Sequence, residues 1–342
     1  MKNLLYIGNH LSNTGKTVTT IETLSKSLRY EGYRVFEFSN KRNKLFRLFD
    51  MLFSVLKYSK KVDYVLIDTY STSNFYYAFL CSQLCRVFNL KYIPILHGGN
   101  LPTRLKSNPQ LSKAIFKNAF KNISPSGYIQ HEFAKQGYSN LICIPNAIDL
   151  KNYAFKQREF KNLKMLWVRS FSEIYNPLLA VKILKTLLDK NINASLCMVG
   201  PEGDGTLEKT KVFAQELGID VIFTGKLSKN EWIKLSVDYN VFINTTNFDN
   251  MPVSIIEAMA LGLPIISTNV GGMSFLIDDN TNGILVEPNS EKEFVKAIET
   301  IIANPDYAIQ LAINARKKAE QFDWELVKHE WFNLLLNVRN LS

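Results

Sequence analysis

The chain has little of what would tie it to an oxidising compartment, a membrane span or a metal. Its 342 residues include 4 cysteines and 4 histidines. Cys81, Cys85, Cys143 and Cys197 are scattered through apolar stretches. Cys81 and Cys85 have helical spacing, but no second pair and no His cluster accompanies them. This excludes a disulfide framework or zinc ribbon, and the thiols read as reduced core residues of a cytoplasmic protein. No apolar run reaches the roughly 18 residues that a bilayer span needs. The opening MKNLLYIGNHLSN reads as a strand and a polar loop, with too short an apolar run for a secretory leader. Acid is scarce at the N-terminal end. Residues 1–150 carry 20 Lys and Arg against 8 Asp and Glu, whereas the remainder carries 21 against 23. The first half is therefore expected to face something anionic. No nucleic-acid recognition motif is present, so a membrane surface or an acidic glycan fits better. At 46% hydrophobic and 21% charged the composition is that of an ordinary soluble protein, and the length suits two domains.

The most informative stretch is 248–272, FDNMPVSIIEAMALGLPIISTNVGG. Val241, Phe242 and Ile243 before it read as a buried strand. Val253, Ile256, Ala260 and Leu261 recur at helical spacing, and Gly262 with Pro264 ends the helix. Residues 263–268 then read as a further strand. A strand, a short polar loop and a helix start form an anion site, because the first-turn N–H groups lack intrahelical partners and the macrodipole adds positive charge. Those N–H groups are expected at 253–256, with Pro252 at the first helical position. Asp249 precedes that turn and Glu257 follows it, so a phosphate could lie between two carboxylates that accept hydroxyl hydrogen bonds. The plain alternative is that Asp249 caps the helix and Glu257 is solvated; spacing alone leaves both open.

These residues resemble the E-x7-E signature of retaining glycosyltransferases of family 4, and EAMALGLPIISTNVGG matches that family's stretch nearly letter for letter. Asp249 stands where the family has its first Glu. The resemblance implies an α/β protein of the GT-B fold, with two Rossmann-like doubly wound parallel-sheet domains facing a central cleft. The expected divisions are 1–155 on the acceptor side, 156–322 for the nucleotide sugar, and 323–342 as a helix crossing back. The segments ISPSGY (123–128) and IPNAID (144–149) look like the family's S-x-S and P-N-G segments, with Ala147 for Gly. RSFSEIYNP (169–177) resembles the region where an Arg and a Lys bind the donor diphosphate. Arg169 is kept, and Tyr175 stands near the Lys position. Residues 150–162 read as a polar linker.

The resemblance assigns Asp249 to the donor sugar, Glu257 to the ribose hydroxyls, and Arg169 to the diphosphate. Lys226, Asn250, Met251, Pro252, Val253 and Ser254 complete the donor side. His97, at the end of the strand 91–96 and followed by Gly98, resembles a strand-end His that contacts the donor sugar. A structural His at a tight turn is the alternative. Gly15 matches the family's glycine loop, and Lys16, Asn13 and Gly98 are weaker candidates. The implied reaction is retaining transfer of a hexose from a UDP-sugar, favoured over a GDP-sugar, to a glycan or lipid-linked acceptor. No cofactor and no metal are implied: there is no Asp-x-Asp triplet, and the family uses helix dipoles and cationic side chains where others use a cation. A sugar-nucleotide-binding protein without turnover is the alternative of another class. A P-loop NTPase is a third, since residues 14–17 read TGKT. That motif needs Gly five residues before Gly15, where His10 stands.

Residues 41–61, KRNKLFRLFDMLFSVLKYSKK, combine seven Lys and Arg with a stripe of Leu, Phe, Met and Val at helical period. This is either a helix packed on the sheet with its basic face in water, or one lying on an anionic membrane through Lys41, Arg42, Lys44, Arg47, Lys57, Lys60 and Lys61. The expected location is cytoplasmic, peripheral to the inner face of the plasma membrane.

Overall fold

The computed structural model describes residues 2–10 and 19–336. Twelve strands form two six-stranded sheets, every pairing parallel. The first holds β1 (Asn3–Ile7), β2 (Arg34–Phe38), β3 (Tyr64–Thr69), β4 (Lys91–Leu96), β5 (Asn122–Ser124) and β6 (Leu141–Cys143) in the order β2-β1-β3-β4-β5-β6. The second holds β7 (Leu163–Val168), β8 (Ala194–Val199), β9 (Ile222–Gly225), β10 (Val241–Asn244), β11 (Ile265–Thr268) and β12 (Ile284–Val286) in the order β12-β11-β10-β7-β8-β9. Helices between successive strands cover the sheets, so central strands are near-continuous apolar runs: all six residues of β3 are buried.

Each strand order has a reversal. After β1 the chain moves outward to β2 and returns on the other side at β3. In the second sheet β7 is followed by β8 and β9, and the chain then returns at β10. Loops leaving the two strands at a reversal diverge and open a crevice beyond their carboxyl ends. In this chain those loops begin with Gly8 and Tyr70 in the first sheet, and with Arg169 and Thr245 in the second.

The first unit comprises 1–145 and 327–342, and the second 146–326. In the first, Met51 and Val55 of the helix Lys44–Tyr58 and Cys81 and Cys85 of the helix Asn74–Val87 pack with Leu5, Ile7, Val65 and Ile67. In the second, the helices Pro177–Asp189 and Glu291–Ala303 pack on Met165, Trp167 and Ile243. The helix Val253–Ala260 packs with Leu166, Phe242 and Ile265 in a second cluster.

The division at 145/146 differs from the expected 155/156. The stretch read as a linker belongs to the second unit, because Tyr153 and Arg158 are buried there, 3% and 5% exposed. Arg158 donates to the carbonyls of Ser236 (2.9 Å), Val237 and Tyr239 (both 3.2 Å), and Leu261 (2.7 Å). Ser236 and Val237 end the helix Lys229–Ser236, and Leu261 is the C-cap of Val253–Ala260. One guanidinium thus satisfies the orphan carbonyls of two helix ends. Arg158→Ala should cost about 3 kcal/mol in urea unfolding, since those carbonyls lose a charged donor. A cost under about 1 kcal/mol would show that water replaces it freely.

The second unit's two ends are also joined. Ile148 N–H donates to Phe322 O at 2.9 Å, and Trp324 N–H donates to Ile148 O at 2.8 Å. The last helix, Trp324–Leu336, begins in the second unit and continues in the first, rather than beginning a separate piece at 323.

Candidate active site

In the second unit the predicted residues converge at the reversal between β7 and β10. Arg169 directly follows β7. Its guanidinium stacks on the Tyr175 ring, 4.2 Å from the centroid, and pairs with the Asp249 carboxylate. Burial lowers the Arg169 pKa, with Tyr175 opposing the shift. Tyr175 therefore supplies a ring beneath the guanidinium and no second cation. Asp249 Oδ1 accepts the N–H of Asn250 at 2.8 Å, and the helix N-cap is Pro252, with no side-chain cap. Both the capping alternative for Asp249 and the placing of Pro252 at the first helical position are corrected by this geometry.

The loop is held from behind by two glycines. Gly272 N–H donates to Asp249 O at 3.0 Å. A Cβ on Gly271 (φ +53) would land on Asp249 O, and one on Gly272 would land on Asn250 O. The chain approaches itself too closely there for any side chain. Asn250 and Met251 are buried, and Asn146 Nδ2 donates to Met251 O at 3.1 Å.

The N–H groups of Ile255 and Ile256 already reach Pro252 O, at 3.2 and 3.4 Å. Among the described residues the first-turn donors left without a partner are therefore those of Val253 and Ser254, fewer than the expected 253–256. The buried Ser254 Oγ has no partner among the described residues. Glu257 is 4% exposed and not a solvated helical Glu. Its Oε1 accepts from Tyr153 Oη at 2.7 Å and from Lys229 Nζ at 2.5 Å. Burial and then Glu257 push the Tyr153 hydroxyl pKa upward, which keeps it a donor. Lys226 is exposed just after β9; the lysine that meets Glu257 is Lys229, first residue of its helix.

In the first unit a separate polar group sits at the reversal between β1 and β3. Asp68 Oδ1 accepts from Tyr6 Oη at 2.8 Å and lies 2.8 Å from His97 Nε2. Tyr6, Asp68 and His97 are all buried, and the Tyr70 ring stacks on the imidazole at 5.1 Å. Burial and Asp68 raise the Tyr6 pKa well above its ordinary value. A Cβ on Gly8 would strike the Asp68 carboxylate. With Nε2 committed to Asp68, Nδ1 is the ring nitrogen left for a ligand. Gly98 follows with φ +88. Gly15, Lys16 and Asn13 lie outside the described residues. Among the described residues no three His, Cys, Asp or Glu side chains are gathered for a metal ion.

Sequence reasoning missed Tyr6, Asp68, Tyr153 and Lys229. Only Asp68 carried a signal: like His97, it stands near the carboxyl end of an apolar strand, where such sheets bind ligands.

The family described as glycosyl transferases group 1 matches residues 151–318. An alpha-1,4-N-acetyl-D-galactosaminyltransferase of Campylobacter jejuni, acting on a diNAcBac-PP-undecaprenol-linked GalNAc disaccharide by its name, is 28% identical over 185 residues, covering 53% of this chain and 50% of that protein. Two other curated relatives are matched over only 28% of their own length. Among solved structures, a sucrose-phosphate synthase from Thermosynechococcus elongatus superposes with a TM-score of 0.85 at 19% identity, covering 100% of both chains. Anabaena HepE in complex with UDP and glucose gives 0.77 at 17% identity, covering 99% of this chain and 100% of that one. The whole chain thus has the GT-B fold of these structures, and its residues 151–318 match the family of glycosyl transferases group 1.

Proposed function

We propose that the protein is a retaining glycosyltransferase of family 4. It moves a hexose from a nucleotide diphosphate sugar, a UDP-sugar rather than a GDP-sugar, to a glycan or lipid-linked acceptor. The setting is bacterial surface polysaccharide synthesis at the cytoplasmic face of the plasma membrane. One observation carries this reading: a helix N-terminus with two N–H groups unpartnered among the described residues has Arg169 beside its entry loop and the buried Glu257 one turn inside. The diphosphate accepts from Val253 N–H, Ser254 N–H and Arg169, which offset the charge that develops as the sugar leaves. That arrangement calls for no metal ion. Tyr153 and Lys229 hold Glu257 Oε1, so its other oxygen can accept from a ribose hydroxyl. Asp249 faces the sugar, and His97 Nδ1 serves as a sugar contact.

The test is binding followed by transfer. UDP at a hundred times its Kd should stabilise the protein by about 2.7 kcal/mol, and GDP at the same concentration by less. Glu257→Gln should weaken UDP by roughly 1.5–3 kcal/mol, because the charge that strengthens the ribose hydrogen bond is gone. Radiolabelled sugar should then move from donor to acceptor with EDTA present. UDP binding without transfer or donor hydrolysis would favour the non-catalytic binding protein. ATP hydrolysis without UDP binding would favour the P-loop reading.

A further inference from the structure

The helix Lys44–Tyr58 faces its unit with Arg47, Met51, Ser54 and Val55 and turns a different stripe outward. Leu45, Phe46, Phe49 and Phe53 are 67%, 68%, 65% and 61% exposed, and Leu56 is 46% exposed. No other described helix exposes three phenylalanines. A shallow depression runs along Phe46, Phe49, Phe53 and Leu56. Exposed cations stand at both ends of the stripe: Lys41, Arg42 and Lys44 at the start, and Lys57, Lys60 and Lys61 at the finish. Asp50 is the only acid in 41–61.

Arg47, expected among the lipid-facing cations, is not one of them. It is 7% exposed and donates to Lys41 O (2.8 Å), Arg42 O (2.9 Å) and Asn9 Oδ1 (3.1 Å). It ties the basic arm 41–42 back against the helix, while Asn43 caps the helix start through Leu45 N–H and Phe46 N–H. The basic arm, the cap and the aromatic stripe are thus one ordered surface.

We propose that this face docks on an anionic lipid bilayer, with Phe46, Phe49 and Phe53 entering the interface and the six exposed cations meeting headgroup phosphates. A row of exposed rings suits a deformable plane, and lysine stems reach from an apolar contact to the headgroups. A second copy of the chain is disfavoured, because pairing like faces would bring six cations against six. The inference deepens the membrane placement in the functional reading. Its test measures lipid binding alone, so either can fail without the other.

The full chain is sedimented with vesicles of phosphatidylcholine and of phosphatidylcholine mixed with phosphatidylglycerol. It should follow only the anionic vesicles at low salt. Exchanging Lys41, Arg42, Lys44 and Lys57 for Gln should weaken partitioning on the order of a hundredfold or more. Phe46→Ser, Phe49→Ser and Phe53→Ser together should weaken it about tenfold or more, with melting unchanged because these rings are exposed. Indifference of the parent to anionic vesicles overturns the proposal. So does a triple serine variant that binds as well as the parent. A dimer in gel filtration that the serine variant abolishes would give the face to a second copy instead.

Discussion

Arg169→Ala should weaken UDP by about 3 kcal/mol, more than a hundredfold, and leave uridine within twofold. Arg169 is proposed to meet only phosphate, and a guanidinium bound to a phosphate in a mostly buried site makes charge-assisted, paired hydrogen bonds. The substitution should also cost stability. Arg169 and Asp249 are 13% and 15% exposed, and removing one partner of such a pair leaves the other charge with little solvent to replace it. About 3 kcal/mol is expected, at the lower end for buried pairs because neither group is fully enclosed. Affinities are therefore compared well below the variant's melting temperature, and Arg169→Lys provides the control. Lysine keeps the charge but loses the planar fork and the stack on Tyr175, so it should recover stability more fully than affinity. An equal loss of UDP and uridine would place Arg169 away from the phosphates.

The second large effect is expected at Gly271. Gly271→Ala must both hold a left-handed φ of +53 and clear the Asp249 carbonyl, onto which its Cβ would be built. The loop can only yield by moving Asp249 and breaking the hydrogen bond from Gly272. We expect a loss of about 2–4 kcal/mol, together with UDP affinity. Gly218→Ala is the internal comparison, in the same unit, with φ +65 and nothing within 4 Å of the added Cβ. It should cost only the left-handed penalty of about 1–2 kcal/mol and leave UDP binding intact. If the two variants behave alike, the close approach does not restrain the loop.

These two positions also mark what was legible in the sequence. The strands were plain because parallel strands covered on both faces are apolar throughout. The run 91–96 was bounded to the residue. The loop and helix around Asp249 were legible because their chemistry is local: a strand end, a short polar loop and a helix start. What surrounds the carboxylates was not local. Tyr153 reaches Glu257 across 104 positions, Lys229 across 28, and Tyr6 meets Asp68 across 62. No periodicity or motif encodes such a meeting; strand order produces it. The same cause explains the misread segment 150–162, whose polar composition hid Arg158, a cation consumed by backbone carbonyls. It also explains Arg47, which helical period alone could not distinguish from its exposed basic neighbours.

The clasp at Ile148 makes the second unit a guest within a host. Its chain enters at 146 and leaves at 326, with the two crossings laced together by the bonds of Ile148 to Phe322 and Trp324. A fragment spanning 146–326 keeps that lacing and can be excised as one piece. A fragment begun at 156 loses the lacing together with Tyr153, and with it the hydroxyl that holds Glu257. Because the guest's own ends already meet, a short peptide can join them. New ends can then be opened at a surface turn such as Gly218, giving a circularly permuted second unit that no longer needs its host to close.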